Sequence, residues 1–519
     1  MSRTYLLNPP FMPGFSRSMR WQDTGRGGTL YYPVWLAYAT GAVEQEGHEA
    51  KLVDAPAWDW RKKDVLRDAA EFDPKLVIMD TSFTSLNNDL SVLSDIKDAT
   101  GATTMVVGEP GSVFSDQILN TDCVDIVAQN NFELTAVEVA ESLDQNGSFD
   151  GIAGMSFYRD SEIVHNEPRP IERSADLDDL PFVSKVYDDH LNIDDYFLGQ
   201  SLYPEVQIIT GRGCPYECTF CSWPQTFTGR SYRYRSVEDI VDEFEWVEQN
   251  LPEVNEIFIE TDTFALNEKR VRNFTEELRS RDVSITWACN ARADGTLGLD
   301  TMKRMRETGC RLFVTGFESG SDEMLMNMKK DITTDQIREY CRKAKEAGVL
   351  IHGDYIIGLP GETEKTIQET RELIFETKPE VLQVAVATPF PGTEFFEWAH
   401  QNGHLNIDSL DQYLDQKGHQ RAVIDYPNLT YKKINQKVDQ LLKDYYLSPK
   451  YVPLAARQVL RENGWQEFKR IAHEAKVFLG YISDRDYSEY DREYEAKIEL
   501  EDEHTAQGVP GNRITSSDD

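Results

Sequence analysis

From residue 206 onward the sequence repeats one unit, a short apolar run followed by an amphipathic stretch. That recurrence restricts the fold more than any other feature. Runs rich in β-branched and aromatic residues stand at Val206–Thr210, Glu256–Glu260, Ser284–Cys289, Arg311–Glu318, Leu350–Gly358 and Val381–Ala387. Between and after them, helical periodicity appears near 236–249, 267–280, 299–308, 334–347 and 363–377. Ser236 with Asp239 three residues on, Thr334 and Thr363 offer helix N-caps, and Gly309 and Gly348 offer stops. Six such units over 201–404 predict a partial (β/α)6 barrel, although a flat parallel sheet has the same rhythm. In either case ligands gather at the carboxyl ends of the strands.

Residues 1–158 alternate in the same way. Strands are expected at Tyr5–Leu7, Ala50–Val53, Leu76–Met79, Thr104–Val107 and Asp125–Val127, with helices at Val34–Glu46, Asn88–Ala99 and Leu134–Leu143. This predicts a doubly wound, Rossmann-like α/β domain. The Pro- and Asp-rich segment 159–200 reads as a linker. Residues 405–490 read as a helical, Tyr-rich C-terminal region, and the acidic, then small and polar 491–519 as a disordered tail. The stripe Trp465, Phe468, Ile471, Val477 and Phe478 suits either a bilayer or the barrel surface, with packing on the barrel favoured.

Charge and cysteine usage narrow the function. The chain of 519 residues carries 54 Lys and Arg against 90 Asp and Glu, a formal net charge of −36. Such a field repels phosphates and argues against nucleic-acid binding. The acids are spread along the chain, as on a halophilic-type acidic surface or that of an acidic mesophilic protein. Seven unevenly spread cysteines do not form a disulfide framework. With no signal-peptide pattern and no long apolar run, the sequence predicts a cytoplasmic protein.

Three of those cysteines, Cys214, Cys218 and Cys221, lie in "TGRGCPYECTFCSWPQTFTGRSYRYRS", just past the first barrel strand. Structural zinc takes four ligands, and Cys289, Cys310 and Cys341 fall in separate predicted elements. Three thiolates suit a [4Fe–4S] cluster with one iron left open. A non-enzymatic zinc-binding module is the remote alternative.

The C-x3-C-x2-C spacing with Phe220 before the third Cys resembles the signature of radical S-adenosylmethionine (radical SAM) enzymes. Later stretches agree: "FVTGFESGSDEML", "GDYIIGLPGET" and "VATPFPGTEFF" resemble that family's fourth, fifth and sixth strand segments. The resemblance implies a cluster on Cys214, Cys218 and Cys221 that cleaves S-adenosylmethionine (SAM) to a 5′-deoxyadenosyl radical. It implies SAM contacts from Phe220, Glu318, Ile357 and Gly358. The family's Gly-Gly-Glu is replaced by "IETDTFALN", so the amino contact passes to Glu260 or Asp262. The first domain resembles cobalamin-binding domains fused to such enzymes. The Asp-x-His-x-x-Gly ligand motif is absent, His48 reads as a turn residue, and the domain either binds cobalamin without a lower ligand or has lost it.

"LNPPFMPGFSRSMRWQDTGRGGTLYYPVWLAYAT", "CSWPQTFTGRSYRYRS" and "FKRIAHEAKVFLGYI" resemble hopanoid cyclitol-ether synthases and calditol synthases. That subgroup implies radical ring rearrangement of the sugar headgroup of a glycosylated isoprenoid lipid. The alternative is a cobalamin-dependent radical SAM methyltransferase. Candidate substrate residues are Trp223, Gln225, Arg233 and Arg235, with Arg17–Trp21 a second Arg/aromatic segment. Implied partners are SAM, the lipid, a low-potential ferredoxin or flavodoxin, and peripheral contact with the inner membrane face. No residue is assigned as hydrogen donor to the product.

Overall fold

The computed structural model describes residues 1–17, 20, 22–145, 147–160, 162–170 and 177–483. The expected tail, 491–519, and Trp21 lie outside the described residues.

Seven strands form the first sheet: β1 (Arg3–Asn8), β2 (Glu49–Asp54), β3 (Leu76–Asp80), β4 (Thr103–Val107), β5 (Ile126–Ala128), β6 (Met155–Arg159) and β7 (Glu162–His165). Their order is β2-β1-β3-β4-β5-β6-β7; the first five are parallel, and β6 and β7 add an antiparallel edge. All five residues of β3 are buried, as in a sheet covered on both faces. Tyr5, Leu7, Val77 and Met79 pack to one side, while Leu6 and Ile78 pack to the other, beneath the helix Val34–Gln45.

The expected linker 159–200 does not behave as one throughout. It contributes β7, and its helix Val183–His190 packs against Val34–Gln45 and the first strand of the next domain. Its amphipathic pattern is too short, among so many Asp residues, to stand out in the sequence.

Eight further strands follow: β8 (Glu205–Ile208), β9 (Gly211–Arg212), β10 (Arg233–Tyr234), β11 (Glu256–Ile259), β12 (Thr286–Ala291), β13 (Cys310–Glu318), β14 (Leu350–Ile357) and β15 (Val381–Val386). The second sheet is all parallel, in the order β15-β14-β13-β12-β11-β8. Phe258, Ala288, Leu312, Leu350 and Val381, one from each of β11 to β15, meet in one buried cluster with Leu198. Phe258, Asn290, Val314, Asp354 and Gln383, again one from each of these strands, line a single cavity, as in a sheet curled into a partial barrel. The small β9–β10 ladder brackets the cysteine loop.

Capping follows the sequence with one shift. Ser236 Oγ accepts from Asp239 N, and Thr363 accepts from Thr366 N, but Thr333 rather than Thr334 caps its helix in a capping box with Gln336. Gly348 ends that helix at φ +80°, where a side chain would be strained.

The C-terminal helices are Tyr431–Tyr446, Val452–Val459 and Gly464–Ser483. The last is fastened to the barrel floor by a buried ion network. Arg311 grips Glu256 with both arms (2.6 and 2.8 Å), Glu467 at 2.9 Å bridges Arg311 to Arg470, and Arg470 holds Glu474 at 2.7 Å. Its apolar stripe divides. Ile471 and Phe478 face the barrel, whereas Trp465 and Phe468 stack on each other in solvent. Among the described residues no helix is long and apolar enough to cross a membrane.

Candidate active site

The cysteine loop is held by backbone and by two side chains from elsewhere. Cys214 N donates to Gly229 O, Thr219 N to Met328 O, and Cys221 N to Cys218 O. Gln225 Nε2 donates to Cys221 O at 2.7 Å while its Oε1 accepts from Glu394 N, so Gln225 braces the loop against the chain after β15. Asp262 accepts from Gly213 N at 3.1 Å and Thr228 Oγ1 at 3.3 Å. Gly213 stands at φ +90° with Ser231 O 2.3 Å from where a Cβ would be, so only glycine fits there.

Cys214, Cys218 and Cys221 line one cavity of about 140 Å³ at the carboxyl ends of the strands, together with Phe220, Glu260, Asp262 and Glu318. All three thiols are free. Burial pushes Cys214 up to about 11 and Cys221 well above its ordinary value, and the thiols lie near enough to repel one another's charge. Among the described residues no three His, Cys, Asp or Glu side chains close on a point as a single-ion site. A cube of four irons spreads its thiolates farther apart than one zinc ion does, so the donor set fits the cluster better than zinc.

The acids of the cavity are paired in ways the sequence did not reveal. Arg20 reaches from the N-terminal segment, Nη1 to Glu260 Oε1 at 2.9 Å and Nη2 to Asp262 Oδ1 at 3.0 Å. Its guanidinium lies 4.3 Å from the centre of the Trp223 ring. Lys330 Nζ donates to Glu318 Oε1 at 2.6 Å. Glu318 sits at φ +63°, an uncommon conformation for a side-chain-bearing residue, where the β13–β14 register shifts. Gly316 makes room for that pair: a Cβ there would be 2.2 Å from Glu318 Oε1.

Other buried atoms in the cavity have neither a hydrogen bond nor an ion pair: Arg292 Nη2, His352 Nδ1 and Thr263 Oγ1. Buried polar groups are nearly always satisfied, so this set is suited to a polar ligand. Arg292 lies 3.6 Å from the centre of the Tyr216 ring, and His352 Nε2 is 3.1 Å from Asp354 Oδ1.

Several expected site residues lie elsewhere. Ile357 is fully buried, and Gly358 packs against Ile434 while its carbonyl accepts from Tyr426; neither lines the cavity. Trp223 is a core residue, edge-on to Trp35. Arg235 is buried in ion pairs with Asp239 (2.6 Å) and Glu243 (2.5 Å). An Arg/aromatic run invites a ligand-gripping reading, but Trp223 and Arg235 are spent on packing and internal charge. Arg233 stands on β10 opposite Arg212.

A second cavity, about 350 Å³, lies between β15, the segment after Ser16 and the helix Gly464–Ser483. Val384, Leu442, Leu447, Ile471, Phe478 and Leu479 make it largely apolar. Tyr31, Gln200, His352 and Gln383 line both cavities, so one continues into the other.

Comparisons with known proteins agree with this geometry. Residues 208–374 match the model of the radical SAM superfamily. An uncharacterized methyltransferase of Pyrococcus horikoshii is 28% identical over 425 residues, 82% of this chain and 89% of that protein. The structure of the radical SAM methyltransferase TsrM from Kitasatospora setae, with cobalamin and a [4Fe–4S] cluster bound, superposes with a TM-score of 0.68 at 18% identity. It covers 92% of this chain and 99% of TsrM. The cobalamin-dependent radical enzyme OxsB, with aqua-cobalamin and SAM bound, superposes at 0.66 and 14% identity over all of this chain and 77% of OxsB. The chain is therefore an α/β enzyme that carries a radical SAM domain behind a Rossmann-like sheet.

Proposed function

We propose that this enzyme is a radical SAM methyltransferase acting on a largely apolar substrate. The reading rests on one observation: three free thiols at the barrel's carboxyl ends open on a cavity whose other walls hold unpartnered polar groups. In it, Cys214, Cys218 and Cys221 hold a [4Fe–4S] cluster. Glu318, Arg292, His352 and Asp354 offer the charge and hydrogen bonds suited to the amino-acid and ribose parts of SAM. When bound, cluster and SAM together would supply one-electron cleavage of one sulfonium and hydrogen abstraction from an unactivated carbon; a second SAM would give up the methyl group and leave as S-adenosylhomocysteine, with one further electron, chemistry that belongs to the cofactors.

The chain's own residues prepare that site. Arg20 offsets two carboxylates beside the thiols, and Lys330 fixes Glu318. The apolar cavity places a hydrophobic body next to the polar one and keeps water away. Methyl transfer is favoured over ring rearrangement of a sugar headgroup because both the Pyrococcus relative and TsrM are named methyltransferases. A lipid chain is a natural occupant of the larger cavity, and a low-potential reductant must supply the two electrons, one for each SAM.

The test uses anaerobically reconstituted protein with reductant and methyl-labelled SAM. Wild type should release 5′-deoxyadenosine and pass label into an apolar extract of the host. Cys214→Ala, Cys218→Ala and Cys221→Ala should lose cleavage, while Cys123→Ala, in the first domain, should keep it. Full turnover by any of the first three would refute the site; an unlabelled product would refute methyl transfer.

A further inference from the structure

In an open α/β sheet, a ligand takes the crevice outside the carboxyl ends of the strands where the order reverses. Here that switch point lies between β1 and β3, and it is where a cobalamin tail would have to enter. Side chains of the chain itself stand in that crevice. Arg17 spans it, with Nη1 on Asn8 Oδ1 at 2.8 Å at the end of β1. Its Nε and Nη2 lie on Asp89 at 3.0 and 2.7 Å, and its Nε is also 3.1 Å from Ser85 Oγ. Both Arg17 and Asp89 side chains are completely buried, and the rings of Phe11 and Phe15 flank the guanidinium. Gln22 follows: its Oε1 accepts from Phe83 N, its Nε2 donates to Glu109, and its carbonyl accepts from Thr84 Oγ1.

On the face where a corrin ring would lie, sheet and barrel also touch directly. Phe83, just beyond β3, stacks on Phe390 of the chain after β15, with centroids 5.5 Å apart, and Phe390 stacks in turn on Tyr413. Thr226, from the cysteine loop's short helix, donates to Glu109 at 2.9 Å. A Cβ on Gly392 would lie 2.8 Å from both Thr226 Cγ2 and Val113 Cγ2, and one on Gly108 would lie 2.3 Å from Thr81 O. His48 is no substitute ligand, since it accepts from Ser2 N at the amino end of β1, the wrong end of the sheet.

We propose that the first domain keeps the cobalamin-type fold but not the cofactor: the chain's own Arg17, Gln22 and Phe83 occupy its place. The replacement also has a positive use. The segment that carries Arg17 and Gln22 brings Arg20 to the thiol cavity and lays Ser16, Asp23 and Gly25 along the apolar one. What the fold gives up as a cofactor site it regains as a wall of the active site.

The test is retention of corrin by the full-length protein. Chain carrying its reconstituted cluster, verified by iron and sulfide content, is incubated anaerobically with excess hydroxocobalamin, with and without SAM, then freed of unbound corrin. Cobalt should stay at the level of a protein blank, no corrin absorbance should remain, and 5′-deoxyadenosine should form at the same rate with or without cobalamin. One cobalt per chain surviving gel filtration, or turnover that requires cobalamin, would overturn the proposal. Because iron is measured in the same sample, failure of the cluster site and retention of corrin are read separately.

Discussion

Arg20→Met would leave Glu260 and Asp262 side by side with no guanidinium between them. Removing one partner of a buried ion pair costs about 3–5 kcal/mol, most of it from the charges left behind. The variant should melt earlier, and its 5′-deoxyadenosine formation should fall at least tenfold, because one of the two acids, Asp262, also holds the cysteine loop through Gly213 and Thr228. Stability and turnover both unchanged would show that Arg20 is idle. Glu205, at the start of β8, is a different case. Burial, with the neighbouring Glu256 and Glu260 adding repulsion, lifts its carboxyl to about 8. Between about pH 4.5 and 8 the folded chain therefore keeps a proton that the unfolded chain releases, so this group's contribution to stability falls as pH rises through that window and is level above it. At about 1.4 kcal/mol per unit the whole loss is of order 4–5 kcal/mol. Glu205→Gln should flatten that slope, as read from urea midpoints at pH 5, 7 and 9; an unchanged slope would show that Glu205 is ionised at neutral pH. Neither pairing was legible in the sequence. Arg20 and Glu260 stand 240 positions apart, and nothing local marks one as the other's partner.

At the scale of elements the sequence was a good guide wherever periodicity ran long. The strand–helix units of the barrel and the five parallel strands of the first sheet form where their apolar patterns lie. What escaped were short elements in polar surroundings, β7 and Val183–His190, whose stability comes from packing rather than pattern. The Tyr232–Arg235 run misled for the opposite reason: its residues look like ligand contacts, but Arg235 answers to Glu243 eight residues on. The helix Gly464–Ser483 depends on Arg470, which bonds Glu467, Glu474, Gln458 and Gly199 O at once. Arg470→Met should cost about 3–5 kcal/mol by leaving Glu474 without its cation and Glu467 with Arg311 alone. It should also raise KM for the apolar substrate more than it lowers kcat, because this helix walls the larger cavity. An equal fall in kcat and kcat/KM would instead place the helix in the chemistry.

The whole molecule carries 36 more negative than positive charges. Self-repulsion of that size works against compactness and is relieved by counter-ions. Raising potassium chloride from about 0.1 M to about 1 M shortens the screening length from about 10 Å to 3 Å, and Tm should climb as it does. A flat or falling Tm would mean that the acids are already neutralised by the many Arg and Lys bridges along the surface. The sheet and barrel should melt together, because Arg20, Gln22, Thr226 and the Phe83–Phe390 stack join them.

Tyr31, Gln200, His352 and Gln383 form a common partition between two chambers. A guest in the larger chamber therefore sits across the inner doorway of the smaller one, and traffic between them must take turns. Steady-state kinetics should be ordered rather than random. The nucleoside should be the first to enter and the last to leave, and excess hydrophobic guest should slow its exchange.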